Sequence, residues 1–360
     1  METLIGITPS KLIKLFSQNK FKIGPKYIPK LLPLLFLSMR NAIYSRKEQK
    51  KYSDALNTTN IKKDPIFILG HWRSGTSYFK RLMSSDNQFA YPTVFQIYNP
   101  STFLFTEPML KDRLLKLPEK KRPMDNMKVR FDDPGEEEFA VSVLCLKSQL
   151  MGWVFPANEK YYDSYLTFKN VPRKELEEWK EALHLFVRKV SLINDNRQLL
   201  LKSPQNTGRI KAILELYPQA KFIHIHRHPY EVFRSTYKLY KETVANFHLQ
   251  DVKNYDLTQS ILDRYNIMYE SFFEDRKSLS AEQFIEIAFE DLQKNPFETM
   301  SRVYEQLNIS GFDEFKPELA AYLEKTKNYQ KNKYEELDEN LQQRIYEAWK
   351  KSFVEWNYIP

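Results

Sequence analysis

A chain of 360 residues with 42% hydrophobic and 28% charged side chains can bury a substantial core, and its eight glycines exclude a fibrous or disordered class. The single cysteine, Cys145, excludes an internal disulfide and fits a reducing compartment, which points to the cytoplasm. The net charge of +9 lies in residues 1–52, with eleven Lys/Arg against two Glu; the other 308 residues carry 44 of each sign, which argues against nucleic acid as a partner.

Residues 1–60 read as a basic, partly apolar N-terminal arm, and residues 61–360 as the main domain. The arm carries "KLIKLF" (11–16) and "YIPKLLPLLFLSM" (27–39). Its apolar run Leu31–Leu37 contains Pro33 and is too short to span a bilayer, and no small-residue cleavage site marks a signal peptide. Two readings stay open for the arm. Basic residues interleaved with Leu, Ile and Phe suit an anionic membrane surface, at the inner face of a membrane. The same pattern suits a helical arm packed on the body with its lysines solvated.

Beyond the arm, "PIFILG" (65–70) reads as a buried strand and "TSYFKRLMSS" (76–85) as the helix after it. More than a hundred residues rich in Tyr, Phe and Pro follow, with helical patterning near 174–194; they read as a helical and aromatic insertion over the mouth of a site. Cys145 lies in the apolar run 143–146 as an inert core thiol. "QLLLKS" (198–203) and "KFIHIHR" (221–227) read as strands joined by a helix over 207–217. "YEVFRSTYKLY" (230–240) reads as a helix with Pro229 in its first turn, "QFIEIAF" (283–289) as a further strand, and 296–307 as a helix. This alternation predicts an α/β fold: a central parallel sheet with helices on both faces, built around a P-loop-like strand–loop–helix.

Within "ILGHWRSGTSY" (68–78), Gly70 and Gly75 have the spacing of a Walker A loop, but Thr76 stands where that motif has its lysine. Loop N–H groups at a helix N-terminus bind an anion without needing that side chain. Thr76 and Ser77 add hydroxyl donors, Gly75 admits close approach, and Arg73 supplies positive charge. The missing lysine argues against a nucleoside triphosphate and for a smaller 5′ anion. Lys202 and Ser203 end one predicted strand. Arg227 ends the next, eight residues before Ser235, a spacing compatible with a strand-end and a helix residue gripping a second phosphate.

The ordered set resembles the sulfotransferases that use 3′-phosphoadenosine 5′-phosphosulfate (PAPS), over residues 64–357. Arg73-Ser74-Gly75-Thr76-Ser77 is similar to that family's phosphosulfate loop, with Ser for the last Thr. Arg227, within Arg227-His228-Pro229, and Ser235 are similar to its 3′-phosphate pair. "NYQKNKYEEL" (328–337) is a weaker match to a segment near that phosphate. The resemblance implies a P-loop-like sulfotransferase fold, PAPS as sulfuryl donor, no metal cofactor, and in-line transfer to a small-molecule hydroxyl. Arg73 and Lys202 become candidates for balancing charge on the sulfuryl group and bridging oxygen.

An alcohol acceptor also needs a general base. One branch of the family has a His two residues after the strand-end Lys; here that place is Pro204. Other branches use a glutamate shortly after the first helix, yet residues 86–106 contain none. The carboxylate run in "DDPGEEEFA" (132–140) offers Glu136 first, then Glu137 and Glu138, and a solvated acidic first turn is the bland alternative. His71, inside the loop, competes as base. His224 and His226 read as satisfied core histidines, and His184 and His248 carry no signal. Aromatic segments 89–105 and 153–168 suit either a core or an apolar acceptor pocket, which would take a lipid-like or phenolic acceptor. A P-loop kinase-like enzyme and a non-catalytic, membrane-surface nucleotide binder remain as alternatives.

Overall fold

The apolar burst at 65–70 forms the central strand of a parallel sheet. The computed structural model describes residues 2–121, 127–253, 255–327 and 336–360. We number five strands: β1 (Ile66–Leu69), β2 (Phe89–Ala90), β3 (Gln198–Lys202), β4 (Lys221–His226) and β5 (Phe284–Ala288). They lie in the order β2-β3-β1-β4-β5. β1 pairs in parallel with β3, Ile66 opposite Leu200, and with β4, Ile66 opposite Lys221; β4 pairs in parallel with β5. All four β1 residues are fully buried, as expected of a parallel strand covered on both faces. The fold is α/β with a central parallel sheet flanked by helices. Because the chain steps from β3 across β1 to β4, the carboxyl ends of these three strands frame the crevice where such sheets bind ligands.

Contacts divide the chain into two units: Met1–Lys63 with Tyr91–Leu199 and Lys241–Tyr255, and Asp64–Ala90 with Leu200–Tyr240 and Asp256–Pro360. The sheet and the glycine loop belong to the second. In it, helices Thr76–Met83, Pro229–Glu242 and Pro296–Gln306 form close to where their patterns predict. The helix expected over 207–217 is shorter. Pro204–Gly208 is a 3₁₀ turn, and only Ile210–Leu214 is α-helical. The break falls at Arg209, whose φ of −125° and ψ of 18° lie outside the helical region, and Thr207 in the 3₁₀ turn accepts the Gly70 N–H on its Oγ1 at 2.8 Å. The two-residue strand β2 gives no periodic signal at that length.

The first unit is helical. Its longer helices are Pro9–Gln18, Leu31–Thr58, Phe103–Leu115, Glu137–Cys145 and Arg173–Leu192. The arm is built into this unit by buried polar contacts. Lys189 Nζ meets Glu48 Oε1 at 2.5 Å, and Asn19 Nδ2 donates to the Tyr162 hydroxyl at 2.7 Å. Burial pushes the pKa of the Lys189 ammonium below its usual range, and the paired Glu48 carboxylate opposes that shift. Among the described residues, no helix is long and apolar enough to cross a membrane.

Candidate active site

The glycine loop has the backbone its sequence demands. Gly70 has φ +140°, Arg73 +70° and Gly75 +103°. A Cβ on Gly70 would meet the Ile225 carbonyl oxygen at 2.5 Å, and one on Gly75 would meet Phe289 Cδ2 at 2.1 Å. Both glycines are therefore required by φ and by space. Ser74 braces the turn: its N–H and its hydroxyl both donate to the His71 carbonyl, at 3.2 and 2.9 Å. Thr76 is buried at the start of the helix, where first-turn N–H groups and the helix dipole favour an anion. Gly75→Ala is expected to cost about 1–3 kcal/mol of stability from its backbone conformation alone. A thermal melt checks this, and an unchanged Tm would show that the loop accommodates a Cβ.

Two clusters of donors flank the loop, both within the second unit. At the end of β3, Lys202 is only 3% exposed and its Nζ donates to Ser77 Oγ at 3.1 Å. Ser203 is buried at the next position. At the end of β4, Arg227 Nη1 donates to the Arg73 carbonyl at 3.4 Å, and Nη2 pairs with Glu231 at 3.1 Å. Arg73 Nε in turn donates to Ser235 Oγ at 2.7 Å. Sequence spacing assigned Arg73 to one phosphate and Ser235 to another; the fold joins Arg73, Arg227 and Ser235 in one hydrogen-bonded cluster.

Phe289, just beyond β5, gave no sequence signal. Its ring fills the space beside Gly75 and lies 5.0 Å from the Arg227 guanidinium, so it both holds the loop and orients the cation. No motif marks such a residue, because its role comes from packing against positions far away in the chain. Beside Arg227, a cavity of about 730 Å³ is lined by His228, Tyr230, Arg234, Glu290, Gln342 and Tyr358. Of the segment 328–337, residues 328–335 lie outside the described residues.

His71 is 1% exposed, with Nδ1 at 2.9 Å from the Trp72 carbonyl and its ring packed near Trp72, Tyr265 and Trp349. Burial lowers its pKa to about 4. An acceptor oxygen could reach it only by displacing those rings. His224 and His226 are aromatic-core residues near Trp356, the latter stacked on it, and His224 Nδ1 lies 2.7 Å from Glu286 Oε2. Burial holds both histidines below their usual pKa.

In the first unit, Glu136 is the half-buried residue preceding the helix Glu137–Cys145. Glu137 and Glu138 are buried in its first turn, and Glu138 Oε1 accepts a 2.5 Å hydrogen bond from Ser148. Glu107 lies one residue beyond the stretch 86–106. Burial raises its pKa while a 3.0 Å hydrogen bond from Gln96 opposes the shift. The aromatic segments are largely core: Phe103, Phe155, Tyr162 and Tyr165 are almost fully buried. Among the described residues, no three His, Cys, Asp or Glu side chains gather as a metal site.

The sequence model of the Sulfotransferase family matches residues 65–314, which include the loop, both clusters and Phe289. The chain belongs to the sulfotransferase family. It is therefore an enzyme of the transferase class, and the resemblance carried by its loop and its Arg–Ser pair holds. The omega-hydroxy-beta-dihydromenaquinone-9 sulfotransferases of Mycobacterium bovis and Mycobacterium tuberculosis are each 32% identical to it over 331 residues, 92% of this chain and 85% of theirs. Among solved structures, sulfotransferase STF1 of M. tuberculosis superposes with a TM-score of 0.68 at 16% identity, covering 94% of this sulfotransferase and 90% of that chain. Sulfotransferase STF9 of Mycobacterium avium gives the same score and identity, covering 87% and 81%. At that identity the likeness speaks for the fold alone.

Proposed function

We propose that this sulfotransferase transfers the sulfuryl group of PAPS to a hydroxyl of an apolar, lipid-like acceptor. The observation that supports the donor is the cradle itself. Two glycines leave no room for a Cβ, a helix N-terminus opens beside them, and Lys202 with Ser77 and Arg73 with Arg227 and Ser235 supply cations and hydroxyls. That donor set fits an anion at the loop and a second one beside Arg227. When bound, PAPS supplies the sulfuryl group. The chain supplies positioning, through loop N–H groups and Ser77, and charge balance, through Lys202 and Arg73. A carboxylate, Glu136 in this reading, takes the acceptor's proton. The lipid-like acceptor is supported by the curated relatives, whose names specify a hydroxylated menaquinone. With such an acceptor, the basic arm would meet an anionic membrane surface.

Thermal-shift titrations with 3′-phosphoadenosine 5′-phosphate (PAP), AMP and ATP test the donor. A ligand at roughly 100 times its Kd stabilises the folded state by about 2.7 kcal/mol. PAP is expected to shift the melt strongly, and AMP and ATP weakly. A shift with ATP alone would revive the kinase-like reading. In Arg227→Ala, loss of charge-assisted hydrogen bonds is expected to remove about 1.5–3 kcal/mol of PAPS binding. Adenosine 5′-phosphosulfate, which has no 3′-phosphate, should be spared. Equal losses for both would overturn the role given to Arg227.

A further inference from the structure

The long arm helix Leu31–Thr58 is inside out. Its buried residues are Leu34, Ser38, Asn41 and Glu48, three of the four polar. All three are satisfied within the first unit. Ser38 Oγ donates to the Leu35 carbonyl at 2.8 Å, Asn41 Nδ2 donates to the Ile5 and Ile7 carbonyls at 2.8 and 3.1 Å, and Glu48 pairs with Lys189. The outward face carries Leu32 and Phe36, each 72% exposed, together with Leu35, Met39 and Ile43. These five positions follow the i, i+3, i+4, i+7, i+11 pattern of a single helix face. They cover about 16 Å of helix axis, at 1.5 Å per residue. Soluble surfaces rarely leave so continuous an apolar strip uncovered.

The same face changes character along its length. One turn beyond Ile43 it presents Arg46, Lys47 and Lys50, all exposed. An apolar stretch followed on the same face by a basic one suits a helix that enters acyl chains at one end and meets phosphate headgroups at the other. Charge complementarity selects the occupant, since residues 1–52 hold the chain's entire net charge of +9.

We propose that this face docks on an anionic lipid bilayer, with Leu32, Phe36 and Met39 among the acyl chains and Arg46, Lys47 and Lys50 at the headgroup phosphates. The proposal rests on the lipid-acceptor reading, because a lipid-like acceptor resides in a membrane. Its structural grounds are independent of the donor site.

The test is co-sedimentation of the full chain with vesicles of equal parts phosphatidylcholine and phosphatidylglycerol, with pure phosphatidylcholine alongside. The anionic vesicles are expected to retain the protein, and added salt to release part of it. The double variant Leu32→Ser/Phe36→Ser removes two exposed side chains and is expected to bind at least about tenfold more weakly, given the apolar area withdrawn from lipid. Arg46→Glu/Lys50→Glu is expected to weaken binding by a similar factor and to abolish the preference for anionic vesicles. A PAP melt run on each variant separates the two readings. An intact PAP shift with lost vesicle binding supports the docking face, whereas vesicle binding without a PAP shift sinks the donor reading and leaves this one standing. Retention unchanged by the Leu32/Phe36 variant overturns the proposal. So does a dimer in analytical ultracentrifugation that this variant dissociates, since a second copy would then cover the face.

Discussion

Replacing Lys202 by alanine is expected to lower kcat by about a hundred- to a thousandfold, the loss that follows removal of one preorganised transition-state donor. Lys202 ends β3, is almost fully buried, and reaches Ser77 at the start of the loop helix. A buried ammonium acts on charge far more strongly than an exposed one, because little water screens it. In the proposed reaction negative charge grows on the phosphate oxygen that leaves the sulfuryl group. The effect should thus fall on kcat more than on the affinity for PAP, which keeps Arg73, Arg227 and Ser235. Steady-state kinetics with a PAP melt as control measure both. A kcat within about threefold of wild type, with PAP binding lost instead, would make Lys202 a binding residue rather than a catalytic one.

Replacing Glu136 by glutamine is expected to cut turnover by about a hundred- to ten-thousandfold, the range for loss of a positioned general base. The substitution is nearly isosteric. Glu136 precedes its helix without a side-chain capping bond, so the helix loses no cap. The PAP shift should be retained while kcat falls. Turnover close to wild type would transfer the role to another carboxylate. Glu107 is then the first to substitute, since burial raises its pKa, a direction that suits a general base. Glu137 and Glu138 follow, and His71 comes last because its ring is enclosed.

Much of the candidate donor site is legible in the sequence because its motifs are local. The run Ile66–Leu69 announces a buried parallel strand by unbroken hydrophobicity, and Gly70 and Gly75 announce backbone that side chains cannot adopt. Strand–loop–helix order then places Arg73, Thr76 and Ser77 at a helix N-terminus. Lys202 and Arg227 are found at strand ends by the same logic. The sequence leaves the base open among Glu136, Glu137, Glu138 and His71. Glutamates are common, and their roles depend on what surrounds them.

The strand and helix types around the glycine loop, and the loop's own glycine spacing, are written within a dozen or so neighbouring residues, and the uneven charge is read from residues 1–52. Folding alone brings Phe289 against both Gly75 and Arg227, Arg73 to Ser235, and the Gly70 N–H to the Thr207 hydroxyl. It also decided which way the arm helix faces. An amphipathic pattern fixes that a helix has two sides, but not which side finds protein. Between Leu32 and Ile43 the apolar side is the exposed one, while Asn41 and, further along, Glu48 turn inward because Ile5, Ile7 and Lys189 supply hydrogen-bond and charge partners that the local sequence does not contain.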